Sequence, residues 1–312
     1  MIKKYRVIGD QHGRTNWHQL VEPFDEETMY IFIGDYTDPY YGWEDVTYEQ
    51  MIEEIKKMFA FKREHPDNVI LLYGNHDLQY YIKQGETNRY DWDEQHRAEL
   101  FKLFKDNEDI FDGVAYSIGD KYLVTHAGVT FDWYTRYCSF DKDTVGKEPL
   151  EDIAAQINNV WELNPEAFTF KKNATKFSDY CGDSPTHGPL WIRPDSLWEN
   201  NLFGFESGKI QVIGHTPFRW ELSDDWKDTY NRIGTYGTTK RPMTEEEIES
   251  AYSYITDGMD MCSLVTNDPE HVDIIFTDCL RRETACVDID AETLEWAKYK
   301  VGEDLMDNKK LI

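Results

Sequence analysis

The residues able to do chemistry are gathered in five short polar clusters: Gly9-Asp10-Gln11-His12-Gly13, Gly34-Asp35-Tyr36-Thr37-Asp38, Gly74-Asn75-His76-Asp77, Thr125-His126-Ala127-Gly128 and Gly214-His215-Thr216-Pro217. Together they offer carboxylate, imidazole and amide-oxygen donors and no thiolate, a mixture that suits divalent ions of the Mn, Fe or Zn kind. The donors suffice for two ions. Any one cluster alone would be an ordinary turn, because Gly and Asn accept positive φ and Asp caps helices. Five in succession, each where a hydrophobic run ends, point to one assembled site.

Something must bring them together across about two hundred positions. The runs that precede them are Tyr5 to Ile8, Met29 to Ile33, Val69 to Leu72, Tyr122 to Val124 and Ile210 to Ile213. Short β-branched runs bounded by Gly read as buried strands. Open α/β sheets place binding sites at the carboxyl ends of their strands, so strands of one sheet would gather the clusters at one edge. Tyr48, Met51, Ile52, Ile55, Met58 and Phe59 recur at helical spacing, which predicts an amphipathic crossover helix from Thr47 to Glu64, ending before Pro66. A second helix is expected from Trp92 to Lys105 with Leu100, Leu103 and Phe104 as its buried stripe, and a third from Leu150 to Leu163. Strand, helix, strand in this order argues for a parallel-rich sheet with helices on its faces.

The order Asp-x-His, Gly-Asp-x-x-Asp, Gly-Asn-His-Asp, His-Ala-Gly and Gly-His-Thr resembles that of the calcineurin-like metallophosphoesterases. Many branches of that superfamily end on Gly-His-x-His, and Pro217 stands in the last of those positions here. Together with Gly188-Pro189-Leu190-Trp191-Ile192-Arg193-Pro194, this is similar to the phosphoprotein-phosphatase branch, which includes bacterial and phage Ser/Thr phosphatases and the symmetrical diadenosine tetraphosphatases. The likeness runs from Ile8 to Thr216, and Ile255 to Gly258 and Ala285 to Asp290 look like that branch's last strands.

The resemblance implies an α/β fold of four layers, an α/β/β/α metallophosphoesterase sandwich, where the pattern by itself supports only mixed α/β. It also implies roles. Asp10 and His12 would bind one metal ion, Asn75, His126 and His215 the other, and Asp35 would bridge them. Manganese stands first among the candidate ions, ahead of Fe, Zn, Ni and Mg. A hydroxide bridging the ions would attack phosphorus, His76 would protonate the leaving oxygen, and Asp38 would orient and charge its imidazole. The expected reaction is hydrolysis of a phosphate monoester, on a phosphoprotein or a small phosphorylated metabolite. The alternatives are a nucleotide pyrophosphatase of the diadenosine-tetraphosphate type and a catalytically inactive binding protein. An inactive protein would have no need to keep Asp38 and His76.

One position departs from the family. Its second motif usually continues with an Arg that grips phosphate, and here the residue is Pro39. A guanidinium binds phosphate through two parallel hydrogen bonds, which Pro cannot replace. Arg193 matches the family's other arginine and is the candidate for the remaining arm, with Arg14 and Arg219 flanking the first and last motifs as further substrate contacts. Tyr36, Tyr40, Tyr41 and Trp43 could stack on a base, but aromatic turns more often close the edge of a core.

Composition bounds the rest. The 312 residues can bury a large core and form one domain over 1–312, with insertions near 131–185 and 219–253 framing the metal mouth. The formal net charge is −27, from 60 acidic against 33 basic residues, which argues against stable double-stranded nucleic-acid binding and against anionic membranes. Two divalent cations would still draw a phosphorylated substrate in locally. The five cysteines, Cys138, Cys181, Cys262, Cys279 and Cys286, are odd in number and include no Cys-x-x-Cys pair, which suits a reducing, cytoplasmic setting. No run of about 18 apolar residues occurs, so neither a signal peptide nor a membrane span is expected. The charged stretch 302–312 is expected to fray.

Overall fold

The computed structural model describes residues 1–39, 46–81, 94–139, 141, 143–170, 184–204, 207–215, 263–265, 272–277 and 285–300. In chain order these form β1 (Lys4–Ile8), α1 (Trp17–Val21), β2 (Thr28–Phe32), α2 (Tyr48–Glu64), β3 (Val69–Leu71), α3 (Asn75–Tyr81), α4 (Glu94–Asp106), β4 (Ala115–Ile118), β5 (Tyr122–Thr125), α5 (Phe131–Tyr137), α6 (Leu150–Leu163), α7 (Pro194–Glu199), β6 (Ile210–Ile213), β7 (Ser263–Val265), β8 (Val272–Phe276), β9 (Ala285–Asp290) and β10 (Trp296–Lys300).

The central strands β2, β3, β5 and β6 are largely apolar on both faces because both faces are covered. Val7, Ile31 and Leu72 on one side, and Tyr122, Val124, Ile210, Val212 and Ile275 on the other, meet in a core between two sheets. The alternate residues of the first three strands, Ile8, Tyr30, Phe32, Val69 and Leu71, turn the other way and pack under helices. There α2 supplies Met51, Ile52, Ile55, Met58 and Phe59. On the far side, α6 lays Leu150, Ile153 and Ile157 over β4 and β5. The result is the four-layer α/β/β/α sandwich.

Local chemistry fixes the main helices. Thr47 accepts the Gln50 backbone N–H through its hydroxyl at 3.2 Å, and Gln50 Oε1 accepts the Thr47 N–H at 2.8 Å, a reciprocal cap that starts α2 at the expected place. The third expected helix is α6, with the bounds read from the sequence. The helix expected from Trp92 is described from Glu94 to Asp106; Leu100 and Phe104 are fully buried and Leu103 partly so.

The expectation of one parallel-rich sheet gathering all five clusters needs correction. Two five-stranded sheets run in the orders β10-β9-β1-β2-β3 and β4-β5-β6-β8-β7. The first is parallel over β1-β2-β3 and antiparallel where β9 and β10 extend it beyond β1; the second has a parallel heart, β5-β6-β8, with antiparallel edges at β4 and β7. The physical reason is a long-range pairing that no local pattern announces. β9 lies antiparallel to β1, and Arg6 holds Asp288 with Nε and Nη2 at 2.7 Å each, 282 positions away. The expected strand at Ile255 to Gly258, the insertion 219–253 and the tail 302–312 lie outside the described residues. The stretch set apart as an insertion near 131–185 supplies α5 and α6, which build the outer layer. Among the described residues no helix is long and apolar enough to cross a membrane.

Candidate metal centre

Three of the clusters follow β1, β2 and β3 in one sheet and two follow β5 and β6 in the other, so the site forms where the ends of two facing sheets meet. Glycines make the approach close enough. A Cβ on Gly74 would stand 2.2 Å from Asp35 Oδ1, and one on Gly214 would stand 2.3 Å from Asp10 Oδ1. Among the described residues five non-glycine residues have positive φ; four are His12, Asp35, Asp38 and His215. Such conformations are uncommon outside Gly and gather where the surrounding structure imposes them for function. Gly214→Ala is therefore expected to push Asp10 aside and weaken divalent-ion binding by roughly 10–100-fold, measured by calorimetric titration; unchanged affinity would show that the crowding has no bearing on the ions.

The six expected ligands come together. Asp10, His12 and Asp35 form one group that could hold an ion, and Asp35, His126 and His215 form a second, each with its donor atoms within 4.8 Å of one another. Asp35 belongs to both. Its Oδ2 lies 3.7 Å from His12 Nε2 and 3.4 Å from His126 Nε2. Asn75 Oδ1 joins the second group, 2.8 Å from both His126 Nε2 and His215 Nδ1. Asp10 is anchored by the His215 backbone N–H at 3.1 Å from each carboxylate oxygen.

The donor set fits cations. His12 Nδ1 donates to the Thr37 carbonyl at 2.8 Å, and His126 Nδ1 donates to the Ile33 carbonyl at 3.0 Å, so in a neutral ring each Nε2 presents a bare lone pair to the site. Burial drives the His12 pKa down to about 3 and holds that of His215 well below its usual value, so both rings are neutral. Bare imidazole nitrogens facing carboxylate and amide oxygens repel unless something positive stands between them. Ligands bound at about 2.0–2.2 Å to one ion lie about 3 Å from each other, which matches the spacing here. Burial works against the charge of Asp35, but His126 and His76 beside it hold its carboxyl well below the usual range.

Beside this centre His76 Nδ1 lies 3.0 Å from Asp38 Oδ2. The imidazole is 16% exposed while Asp38 is sealed, so the ring has one nitrogen on the carboxylate and part of its surface accessible. Burial lowers the His76 pKa, and the charges of Asp35 and Asp38 more than offset it, raising it to about 9.

Three side chains given no role at the sequence level belong to the same machinery. Asp77 Oδ2 accepts the backbone N–H groups of Asp35 at 2.7 Å and Gly74 at 2.9 Å, and its Oδ1 accepts that of Tyr36 at 3.0 Å. It thus ties the Asp35 turn to the Asn75–His76 turn. Burial and the charge of Asp35 push its carboxyl up to about 7, while the amide donors pull the other way. Gln79 and Tyr80 both donate to Asp38. Asp77 stands in the Gly-Asn-His-Asp motif, and the other two could have been found by helical spacing from His76.

The arginines divide. Arg193 Nη1 donates to the His215 carbonyl at 3.2 Å, which places it at the second ion group. Arg14 Nη1 reaches the Asp10 carbonyl at 3.4 Å. Arg219 lies outside the described residues, as do Tyr40, Tyr41 and Trp43. Pro39 is buried. Tyr36 is sealed in the core with its hydroxyl on the Leu72 carbonyl at 2.8 Å, closing a core edge as expected.

The sequence model of the calcineurin-like phosphoesterase family matches residues 3–219. The chain belongs to this family. The family hydrolyses phosphoester bonds and depends on two metals, and the chain carries side-chain groups that could hold them. Solved structures with some likeness include a cold-active protein tyrosine phosphatase (14% identity, covering 96% of this chain and 79% of that one, TM-score 0.48). A protein serine/threonine phosphatase from Saccharomyces cerevisiae, similar to human phosphatase PP5, has 20% identity over 70% of this chain and 62% of its own, with a TM-score of 0.38. A hypothetical protein from Pyrococcus horikoshii OT3 has 12% identity over 98% of this chain and 90% of its own, with a TM-score of 0.36. With scores below 0.5, none of these likenesses bears on the chemistry of the site.

Proposed function

We propose that this calcineurin-like phosphoesterase is a dinuclear-metal phosphatase of phosphate monoesters, acting in the cytoplasm on a phosphoprotein or a small phosphorylated metabolite. The observation that carries the reading is the position of Asp35 Oδ2 between two buried donor groups, with the His76–Asp38 pair beside them. Asp10 and His12 would hold one ion, Asn75, His126 and His215 the other, with Asp35 common to both groups; the mix of neutral imidazoles and carboxylates suits Mn, Fe or Zn, of which manganese is our first candidate. Bound there, two divalent ions supply Lewis acidity toward the phosphoryl group and a nucleophile at neutral pH. His76 gives its Nε2 proton to the leaving oxygen, while Asp38 keeps Nδ1 protonated and the ring aimed.

Phosphate binding falls to Arg193, with Arg14 at the rim. Pro39, buried and without a donor, cannot serve as the second arm. Arg193→Ala is expected to cost roughly 2–5 kcal/mol in kcat/KM, and Pro39→Arg to tighten monoester binding if the turn, whose φ the Pro fixes, survives. A silent Arg193→Ala in a folded protein would assign the phosphate to the ions and other groups.

The deciding experiment gives the Mn-loaded protein a phosphopeptide, a dinucleoside polyphosphate and a terminally phosphorylated oligonucleotide. Inorganic phosphate released from a monoester is the expected result. Cleavage of the dinucleoside polyphosphate alone would make the protein a pyrophosphatase, and no turnover with two ions bound would make it a binding protein. The reading of one domain over 1–312, with the 131–185 and 219–253 segments choosing the substrate, is tested by exchanging those segments and following selectivity.

A further inference from the structure

We propose that Gln79 and Tyr80 are positioning residues that brace the Asp38 carboxylate and through it aim the His76 imidazole; this rests on the reading of His76 as proton donor. The argument begins with helical spacing. His76, Gln79 and Tyr80 stand at i, i+3 and i+4 of α3, which places them on one face of the helix. All three reach a carboxylate carried by a different loop. His76 Nδ1 lies 3.0 Å from Asp38 Oδ2, Gln79 Nε2 donates to the same oxygen, and Tyr80 Oη donates to Oδ1 at 2.8 Å.

The two oxygens are therefore held from separate points, which fixes the plane of the carboxylate as well as its place. A carboxylate held by His76 alone could turn about its terminal torsion, which is broad for Asp. The imidazole would turn with it, because its own place in the site is set through Nδ1. Fixing the plane matters because Asp38 is fully buried and in the left-handed region at φ 60, away from any water that could compensate for a lost donor. Charge-assisted donors of this kind are the strong ones among protein hydrogen bonds.

Neither brace needs to touch substrate. The Tyr80 ring is 2% exposed and stacks at 6.1 Å on Phe104, within the helix-side core. Gln79 is half-buried. Tyr80→Phe therefore removes one hydroxyl and keeps the packing, and Gln79→Leu removes one amide at a tolerant position.

The test uses full-length protein with both substitutions, singly and together, and two substrates, an alkyl phosphate with a poor leaving group and an activated aryl phosphate. Tyr80→Phe is expected to lower kcat on the alkyl phosphate about tenfold, with a several-fold smaller loss on the aryl phosphate, KM nearly constant and metal content unchanged. The double variant should lose more with the same selectivity. A second readout is independent of turnover: in zinc-loaded protein the His76 Nδ1 proton resonance should shift and exchange faster with water in Tyr80→Phe. An unmoved resonance, or equal losses on both substrates where His76→Asn is itself selective, would overturn the brace. His76→Asn run in parallel separates the two ideas. If that variant shows no leaving-group selectivity while the Tyr80→Phe resonance moves, the brace stands and the assignment of His76 as the acid fails.

Discussion

Asp35→Asn is expected to abolish binding of the ion pair and, with it, turnover. The substitution keeps the side chain's size, and the amide oxygen can still accept the His76 backbone N–H that Asp35 Oδ1 accepts at 2.8 Å. The fold should therefore survive. What changes is the atom between the two ion groups. Oδ2, which lies 3.7 Å from His12 Nε2 and 3.4 Å from His126 Nε2, becomes an NH2 that can donate to the bare imidazole nitrogens and cannot ligate a cation. Both groups lose a shared negative ligand at once. Loss of a supporting hydrogen bond behind a ligand typically costs about 10–100-fold in metal affinity, and loss of a ligand common to both ions should exceed that. Elemental analysis after Mn loading should give two ions per wild-type chain and at most one in Asp35→Asn. Ions that bind only the folded protein also raise its melting temperature, so added Mn should stabilise the wild type and leave the variant nearly unmoved. A chelator should remove wild-type activity and added Mn restore it. One ion or none in well-folded wild type, or two in the variant, would end the dinuclear reading.

The parts legible from sequence are those that local chemistry decides. The strands before each cluster could be read because β-branched runs end on Gly, and α2 because Thr47 and Gln50 cap it where its apolar stripe begins. The residues of the two candidate ion-binding groups could be picked out because carboxylate and imidazole side chains stand together in short motifs, and their separate roles came from the family resemblance. Other features depend on contacts distant in the chain. The second sheet could not be read from strand patterns, since strands buried on both faces look alike in either sheet and the β1–β9 pairing joins opposite ends of the sequence. Asp77 stood in a quoted motif, but its three backbone donors exist only after the Asp35 and Gly74 turns have met. Gln79 and Tyr80 acquire their partner the same way. Their spacing from His76 was readable; the carboxylate they share was not, because it hangs from another loop.

His76→Asn carries the second large effect. In the wild type the imidazole has Nδ1 on Asp38 and a partly exposed edge, its ring set edge-on at 5.1 Å from His12, and its side chain lies outside both ion-binding groups. A residue so placed should act on the proton of the leaving group and leave the ions alone. Turnover on an alkyl phosphate should fall by about 10²–10⁴-fold, the usual weight of a positioned general acid. An aryl phosphate with a good leaving group should suffer much less, because its departing oxygen needs little protonation. Metal content should stay at the wild-type value, since the proposed ligands, Asn75 and Asp35 among them, are untouched. The comparison between substrates carries the test. If both fall equally with the ions in place, His76 contributes to binding or to the shape of the site; if the ions are lost, it is a ligand. Only a selective loss with full metal content identifies it as the group that delivers the proton.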